Sequence, residues 1–270
     1  GYDALEAERR QPEPEILLTV RDADGGVVRV VPGCVKKGFH RVTWDLRYPA
    51  SRAIEWTKSP KDPWQPQGDS GHMAPPGSYT VTLAKRVDGV VTTLSEPVPF
   101  DVVRVFPGSL PGTPPSETAG YMAQVAELTR EVSAAAEAVK LTFQRIERIE
   151  SAIASSTVEP GTLDSELATL KQRLHDVDSK LRGNRSKAAF NLPQTPSIGH
   201  RLRMAGTTDG QSDYGPTATH RRSFEIATEQ WSALQPELKQ LIDVDIPTFE
   251  AKAEAAGVPW SPGRPLPEMN

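Results

Sequence analysis

Three kinds of side chain in this sequence are of types that do chemistry or recognition: histidines, neighbouring carboxylates, and aromatics in stretches without a repeat. The histidines are His40, His72, His175, His200 and His220. None stands at a metal-ligand spacing from another, and there is no His-Glu-x-x-His run. A zinc centre would have to be assembled across loops. Glu147 with Glu150 and Asp176 with Asp178 are the nearest approach to acid/base pairs. A glycosidase holds two carboxyls on opposite sides of a bond, in a cleft. These pairs sit in polar helical patterns and read as solvated helix faces. Serines are plentiful, but no Gly-x-Ser-x-Gly elbow occurs. Asp24-Gly25-Gly26 lacks the helix start and the lysine of a phosphate loop. The reading therefore assigns no catalytic residue, no metal ligand and no cofactor.

Aromatics are the better candidates. Tyr48, Trp56 and Trp64 lie in or beside a long stretch, Tyr48 to Ala74, rich in Pro, Gly and Ser. Trp260 lies in the closing Gly257-Val258-Pro259-Trp260-Ser261-Pro262-Gly263-Arg264. Exposed rings of this kind stack on sugars or anchor a protein partner; buried, they pin a loop. Tyr48, Trp56, Trp64 and Trp260 are taken as the interaction or ligand candidates. His200, Arg201, Arg203 and His220, Arg221, Arg222 form two basic clusters, read as a solvated basic edge offset by nearby acids. With 31 basic against 35 acidic residues and a net charge of −4, the composition argues against a nucleic-acid surface and a polybasic membrane anchor. No apolar run approaches the length of a transmembrane helix. Cys34 is the only cysteine, which excludes an intrachain disulfide; in Gly33-Cys34-Val35 it reads as a small buried hydrophobe.

The elements that must position these residues follow from periodicity. Gly1 to Pro14 is charged and unperiodic, a linker or frayed terminus. Ile16–Val20 and Val27–Val31 flank the turn Asp22-Ala23-Asp24-Gly25-Gly26, which predicts a hairpin. Gly38 to Trp44 alternates, predicting a strand with Val42 and Trp44 on its buried face. After the long loop, strands are expected over Ser78–Val87, Val90–Leu94 and Val98–Phe106, with Asp88-Gly89 as a two-residue hairpin turn. Six or seven short strands with turn signals between them suggest an immunoglobulin- or fibronectin-like sandwich over 15–106.

A Pro/Gly linker, 107–115, precedes a different pattern. Val125, Val132, Val139, Ile146 and Ile153 recur every seven residues, and Leu128, Ala135, Thr142 and Ile149 fill the second seam. One helix from Ser116 to Ser155, capped by Ser116 and ~60 Å long, is expected. Leu163, Leu167, Leu170, Leu174, Val177 and Leu181 make a second stripe stopped by Gly183-Asn184. Phe224, Ala227, Trp231, Leu234, Leu238 and Leu241 make a third, continued by Ile246 and Phe249 after a slip in register, with Pro236 and Pro247 expected to kink it. The fold expected is a β-sandwich followed by an antiparallel three-helix bundle over 116–257. Residues 258–270 are expected to form an extended surface tail.

Two stretches carry a family resemblance. Arg41-Val42-Thr43-Trp44-Asp45-Leu46-Arg47-Tyr48, followed by Ala74-Pro75-Pro76-Gly77-Ser78-Tyr79-Thr80-Val81, resembles the Ig-like module related to the flagellar hook-cap protein, in which a Trp-Asp strand end and a Pro-Gly-x-Tyr strand start are paired. The closing Gly257–Arg264 stretch resembles the end of large bacterial glycosyl hydrolase-like proteins with BNR repeats or a sortilin-type β-propeller. Their C-terminal region carries this module and then a helical region. Residues 101–111 depart from the pattern in lacking a short Asp-Pro-Arg exit. The resemblance implies an accessory, non-catalytic piece of a secreted or periplasmic bacterial protein, with any catalytic site expected on the propeller. Its expected partner is a β-propeller domain or another protein subunit. The alternative is a carbohydrate-binding module with a polysaccharide ligand.

Overall fold

The computed structural model describes residues 1–54, 70–106, 111–159, 161–207 and 214–264. Antiparallel β-structure comes first and several helices follow. The chain divides into two compact units: Gly1–Ala50, Ser59–Ala126 and Thr208–Gly215 in one, and Ser51–Lys58, Glu127–Thr207 and Pro216–Asn270 in the other. We call them the strand unit and the helical unit.

The strand unit opens with a helix, α1 (Tyr2–Arg10), where the sequence reads as a linker. Glu6 holds both Arg9 and Arg10 on its exposed surface. Among the described residues seven strands follow: β1 (Glu15–Arg21), β2 (Val27–Gly33), β3 (Arg47–Pro49), β4 (Ser70–Met73), β5 (Gly77–Val87), β6 (Val90–Thr93) and β7 (Val98–Val102). In the β1–β2 turn, Asp22 Oδ1 accepts the N–H groups of Asp24 and Gly26, at 3.1 and 2.7 Å, and Gly25 takes φ 82°. β5 is the central strand. One edge pairs β1 from Arg86 to Thr80. The other is divided: β7 pairs Gly77–Val81 and β6 pairs Ala84–Val87. At the division the Leu83 N–H donates to Ser95 Oγ (2.9 Å) and Leu83 O accepts from Leu94 N–H (2.7 Å), so the interrupted ladder leaves neither group unpaired. Asp88 and Gly89 both take positive φ, 51° and 80°, the geometry of the primed hairpin turn that Asp-Gly favours.

Val20, Val28, Ala74 and Tyr79 are the buried centre of this unit, with Trp44, Tyr48, Val81, Phe100 and Val102 packed around them. The register explains the set. Val20 opposes Val81, and Tyr79 opposes Phe100, and directly opposed residues share a face. Trp44 meets Tyr79 and Phe100 edge-on at 5.6 and 6.2 Å. The strand expected over Gly38–Trp44 does not form, and Phe39 is fully exposed. Trp44 is fixed by a local bond, its indole N–H donating to Arg47 O at 3.0 Å, and the strand begins after it, at Arg47. β7 stops at Val102 rather than Phe106 because its partner residue, Gly77, is the first of β5. Cys34, expected in the core, lies exposed just past the end of β2.

The second half is built from α2 (Pro115–Ala154), α3 (Thr162–Arg182), α4 (Arg185–Ala189), α5 (Ile198–Ala205), α6 (Ala218–Lys239), a π-helical segment (Gln240–Asp245) and α7 (Ile246–Ala255). α2 opens on Pro115, whose missing N–H would be unpaired in the first turn anyway; Ser116 therefore lies inside the helix instead of capping it. All nine seam positions of α2 from Val125 to Ile153 are buried, and so are the six of α3. The hydroxyl of Thr142, the one polar member, donates to Ala138 O at 2.7 Å, which removes the cost of burying it. The slip in the third stripe has a structural cause. Leu241 and Ile246 are five residues apart and both essentially inaccessible. The intervening turn is π-helical, and Ile246 N–H reaches back five residues to Leu241 O. One widened turn carries the stripe past Pro247, which sits in the first turn of α7, where its missing N–H is tolerated. Side chains from α2, α3, α5, α6, the π segment and α7 form one apolar cluster.

Candidate functional site

The C-terminal motif is a folded anchor. α7 ends with Gly257 at φ 91°. Val258 N–H returns to Ala253 O (3.0 Å) and Gly257 N–H to Glu254 O (2.9 Å), the paired bonds of a glycine-terminated helix end. That termination turns Val258 into the apolar cluster, where it is 5% exposed. Ser261–Arg264 then makes a β-turn with Pro262 and Gly263 at its corners, Gly263 taking φ 101° and Arg264 N–H bonding Ser261 O at 3.3 Å. The turn carries Arg264 inward. Its guanidinium donates to Pro259 O (3.1 Å), Glu250 O (3.3 Å) and Glu254 Oε2 (2.8 Å). Glu250, 3% exposed, is held in turn by the Arg145 guanidinium of α2 through both carboxylate oxygens. The expected surface tail is thus corrected: through Arg264 the segment is non-helical but bound in, because two Arg–Glu pairs and Val258 secure it.

This anchor holds Trp260 at a fixed place with 46% of its surface exposed. Trp260 lines a shallow groove of about 530 Å³ between the segment 259–262 and one face of α2. The α2 side is polar. Gln144, Glu147, Arg148 and Ser151 follow each other at helical spacing beside the buried seam. Arg148 Nη1 lies 3.5 Å from Pro262 O. The adjoining Ser261 is 4% exposed, and its hydroxyl has no hydrogen-bond partner among the described residues. One carboxylate, Glu147, lines this groove. The arrangement sets a half-exposed indole on an anchored segment opposite a polar row of α2, which suits recognition.

Tyr48 has a different setting. It lies on β3 in the strand unit, stacked on His72 of β4 with ring centroids 4.4 Å apart and planes at 17°. Burial, and then the charge of Asp22, raise its hydroxyl pKa above the ordinary value. Next to it, Asp45 braces the β3–β4 ribbon: Oδ1 accepts Arg47 N–H at 3.1 Å and Oδ2 accepts the Ser70 hydroxyl at 2.6 Å. Tyr79 O–H donates to Pro75 O (2.5 Å), so the Trp-Asp and Pro-Gly-x-Tyr stretches both serve local tethers. Trp56 and Trp64 lie outside the described residues. Where that stretch begins, Ala53 N–H donates to Ser133 Oγ of α2 at 2.8 Å, within the helical unit. Of the four aromatic candidates, then, Tyr48 belongs to the strand unit and Trp260 to the helical unit.

The histidines are engaged one by one. His40 bonds Lys36 O, His175 packs on Phe143 at 4.6 Å, His200 bonds Arg203, and His220 closes the cap of α6 on the Thr217 N–H. Among the described residues no group of three His, Cys, Asp or Glu side chains is placed to hold a metal. Glu150 is bound by Lys171 at 2.8 Å and Asp178 by Arg182, so neither pairs with its sequence neighbour.

The residues that sequence reasoning missed are Arg145, Glu250 and Arg264. One signal pointed to them. Glu250 falls four residues after Ile246 and three before Ala253, on the inward face of α7, and a carboxylate there requires a cation. No family model, curated protein or solved structure matches this chain.

Proposed function

We propose that this chain is a non-catalytic interaction region that docks onto another protein, a β-propeller domain or a further subunit, with Trp260 as its anchor on the helical unit. The observation that carries this reading is the half-exposed indole held on a segment tied down by a buried arginine. Rigid aromatics of this kind lose little conformational freedom on binding and often dominate an interface. In the same reading the strand unit is a reduced immunoglobulin-like sandwich whose second layer is the β3–β4 ribbon. The helical unit is an antiparallel three-helix bundle elaborated by α5. Both fit the resemblance of the Trp44–Tyr48 and Gly257–Arg264 stretches to accessory regions of secreted or periplasmic propeller proteins.

Binding to a sortilin-type or BNR-repeat propeller, followed by calorimetry, tests the reading. Trp260→Ala is expected to weaken binding at least about tenfold, an anchor-sized loss of ~1.4 kcal/mol or more, with helical content unchanged in the far-ultraviolet. Undiminished binding by the variant would sink Trp260 as the anchor. Trp56→Ala and Trp64→Ala extend the same test to the loop aromatics. A second reading, a carbohydrate-binding module, draws on the row of Gln144, Glu147, Arg148 and Ser151 on α2, which lines the same groove as Trp260. It predicts a saturable change in Trp260 emission on titration with soluble xylan or another polysaccharide, lost in Trp260→Ala, whereas protein docking alone predicts no such change.

A further inference from the structure

A closed loop joins α3 to α5. Gly183 ends α3 and Ser197 caps α5, and these ends meet: a Cβ on Gly183 would lie 3.8 Å from Ser197 Oγ. Across the same neck Asn184 N–H donates to Gln194 Oε1 at 3.0 Å. A surface excursion whose ends touch in this way is an Ω-loop. Every residue from 185 to 196 is exposed, and α4, inside the loop, buries none of its residues. Local bonds hold it instead. At the start of α4, Asn184 Oδ1 accepts the Lys187 N–H (2.9 Å). At its end Asn191 takes φ 52°, Asn191 N–H bonds Ala188 O (3.2 Å) and Leu192 N–H bonds Lys187 O (2.9 Å). Those are the paired bonds of a helix closed by a left-handed residue, an end that commonly packs its last apolar residue against one a turn back. Here the residues a turn back are Ser186 and Lys187. Leu192 stays 53% exposed, and Phe190, on the other side of Asn191, 77%.

The charge around this loop has one sign. Residues 179–207 hold six basic residues (Lys180, Arg182, Arg185, Lys187, Arg201 and Arg203) and no Asp or Glu. The whole chain carries −4, so the remainder carries −10. The chain average, which argues against a basic membrane anchor, conceals this sorting. Lys180 and Arg182 are neutralised by Glu237 and Asp178. Arg185 and Lys187, both exposed on the loop itself, have no ion-pair partner among the described residues, and neither do Arg201 and Arg203 of α5, which starts at the neck.

From the exposed Phe190 and Leu192 and the unneutralised Arg185 and Lys187 on one loop, we propose that this loop docks on the surface of an anionic lipid bilayer. Phe190 and Leu192 enter the interfacial layer, and Arg185 and Lys187 pair with the headgroup phosphates and carboxylates. Two large apolar side chains on an exposed loop are too few for the buried centre of a stable protein interface, which covers about 800 Å² of each partner. A bilayer requires no complementary pocket. It takes up single apolar side chains, and its negative surface potential attracts basic residues. The bonded frame of the loop leaves little conformational freedom to be lost on docking. This surface is independent of the docking proposed for Trp260.

Sedimentation of the full chain with vesicles tests the proposal. Phosphatidylcholine vesicles with about 30% phosphatidylserine, at ~1 mM lipid and low salt, are expected to carry the chain into the pellet, and phosphatidylcholine alone to bind it at least about tenfold more weakly. Raising salt to ~0.5 M should release it. Joint Arg185→Ser and Lys187→Ser substitution should weaken binding about ten- to thirtyfold, and joint Phe190→Ser and Leu192→Ser substitution at least about tenfold. All four positions are exposed, so the helical far-ultraviolet signal should not change. Trp260→Ala should sediment like the unsubstituted chain. Insertion has its own readout. With Cys34→Ser removing the native thiol, Leu192→Cys carrying an environment-sensitive dye should shift its emission to the blue on addition of the anionic vesicles. No sedimentation with phosphatidylserine, equal sedimentation with both lipids, normal binding by the Phe190→Ser and Leu192→Ser variant, or an unshifted label overturns the proposal.

Discussion

The two units solve the same burial problem in opposite ways. Among the described residues the strand unit has four buried residues at its centre, edged by aromatics, whereas the helical unit joins 24 buried residues, nearly all aliphatic, into one cluster. The small core relies on directed bonds. Trp44 N–H, Asp45 and Tyr79 O–H each tie a loop to a named backbone or side-chain group. The long core relies on repetition, and ion pairs between its elements lie beside it, as Arg145 with Glu250 and Arg173 with Asp245 (2.6 Å). Repetition makes burial additive along the helices. A core of four residues concentrates stability in a handful of specific contacts.

Cavity-forming substitutions should sharpen this contrast most. Leu174, with no accessible surface, is surrounded by the cluster. Leu174→Ala is expected to cost ~2–5 kcal/mol, measured by denaturant unfolding at the helical far-ultraviolet signal. Val20→Ala removes fewer methyl groups from a smaller core and should cost about 1–3 kcal/mol, seen in the Trp44 near-ultraviolet signal. An equal cost at both positions would break the comparison.

A single-residue deletion then separates regular from irregular helix. Val244 is 48% exposed within the π turn. Deleting it would restore spacings of four and three residues between Leu241, Ile246 and Phe249, so the stripe stays in register. The expected cost is ~1 kcal/mol, set by re-spacing Asp245 from Gln240 and Arg173. Deleting Ser179 from regular α3 turns Leu181 off the core face and should cost several times more. Thermal melts of the two variants decide the point: similar losses would mean that the π turn is not where the register is absorbed.

The smallest effect expected is on pH dependence. At Asp45 burial favours the neutral acid, but the Ser70 hydroxyl, the Arg47 N–H and the Arg29 charge outweigh it and lower the pKa below 3.8. At Asp245 the Gln240 amide is the largest influence; it and the Arg173 bond and charge lower the pKa against burial. A depressed folded-state pKa stabilises the fold above the unfolded value, and this contribution is lost as pH falls through the folded value. Stability of each unit should therefore decline below about pH 4. Asp45→Asn should flatten that decline in the Trp44 signal alone, and Asp245→Asn in the helical signal alone. Unchanged acid limbs in both variants would remove these carboxylates from the account.

Legibility in the sequence followed the range of the interactions. The α2 and α3 stripes, the Asp-Gly hairpin and the glycine stops were readable because each depends on neighbours within a few residues. The candidate site was legible only as an aromatic in an unusual motif. That Trp260 is held rigid depends on Arg264 meeting Glu250 and Glu254, and on Glu250 meeting Arg145, which is 105 residues away in the chain. Periodicity carries no trace of such a pairing.

By itself the sequence determined which residues of α2 and α3 face inward, since helix geometry repeats at a fixed period and burying apolar surface follows it. It also determined where α3 and α7 stop, through Gly183 and Gly257, which take positive φ. Tertiary structure alone decided that β6 and β7 share one edge of β5, that the C-terminal segment is bound in, and that Asn184 and Gln194 close the neck of an exposed loop. Those outcomes turn on which distant groups satisfy each other's charge and hydrogen bonds, and that is settled only when the packed elements bring them within bonding distance.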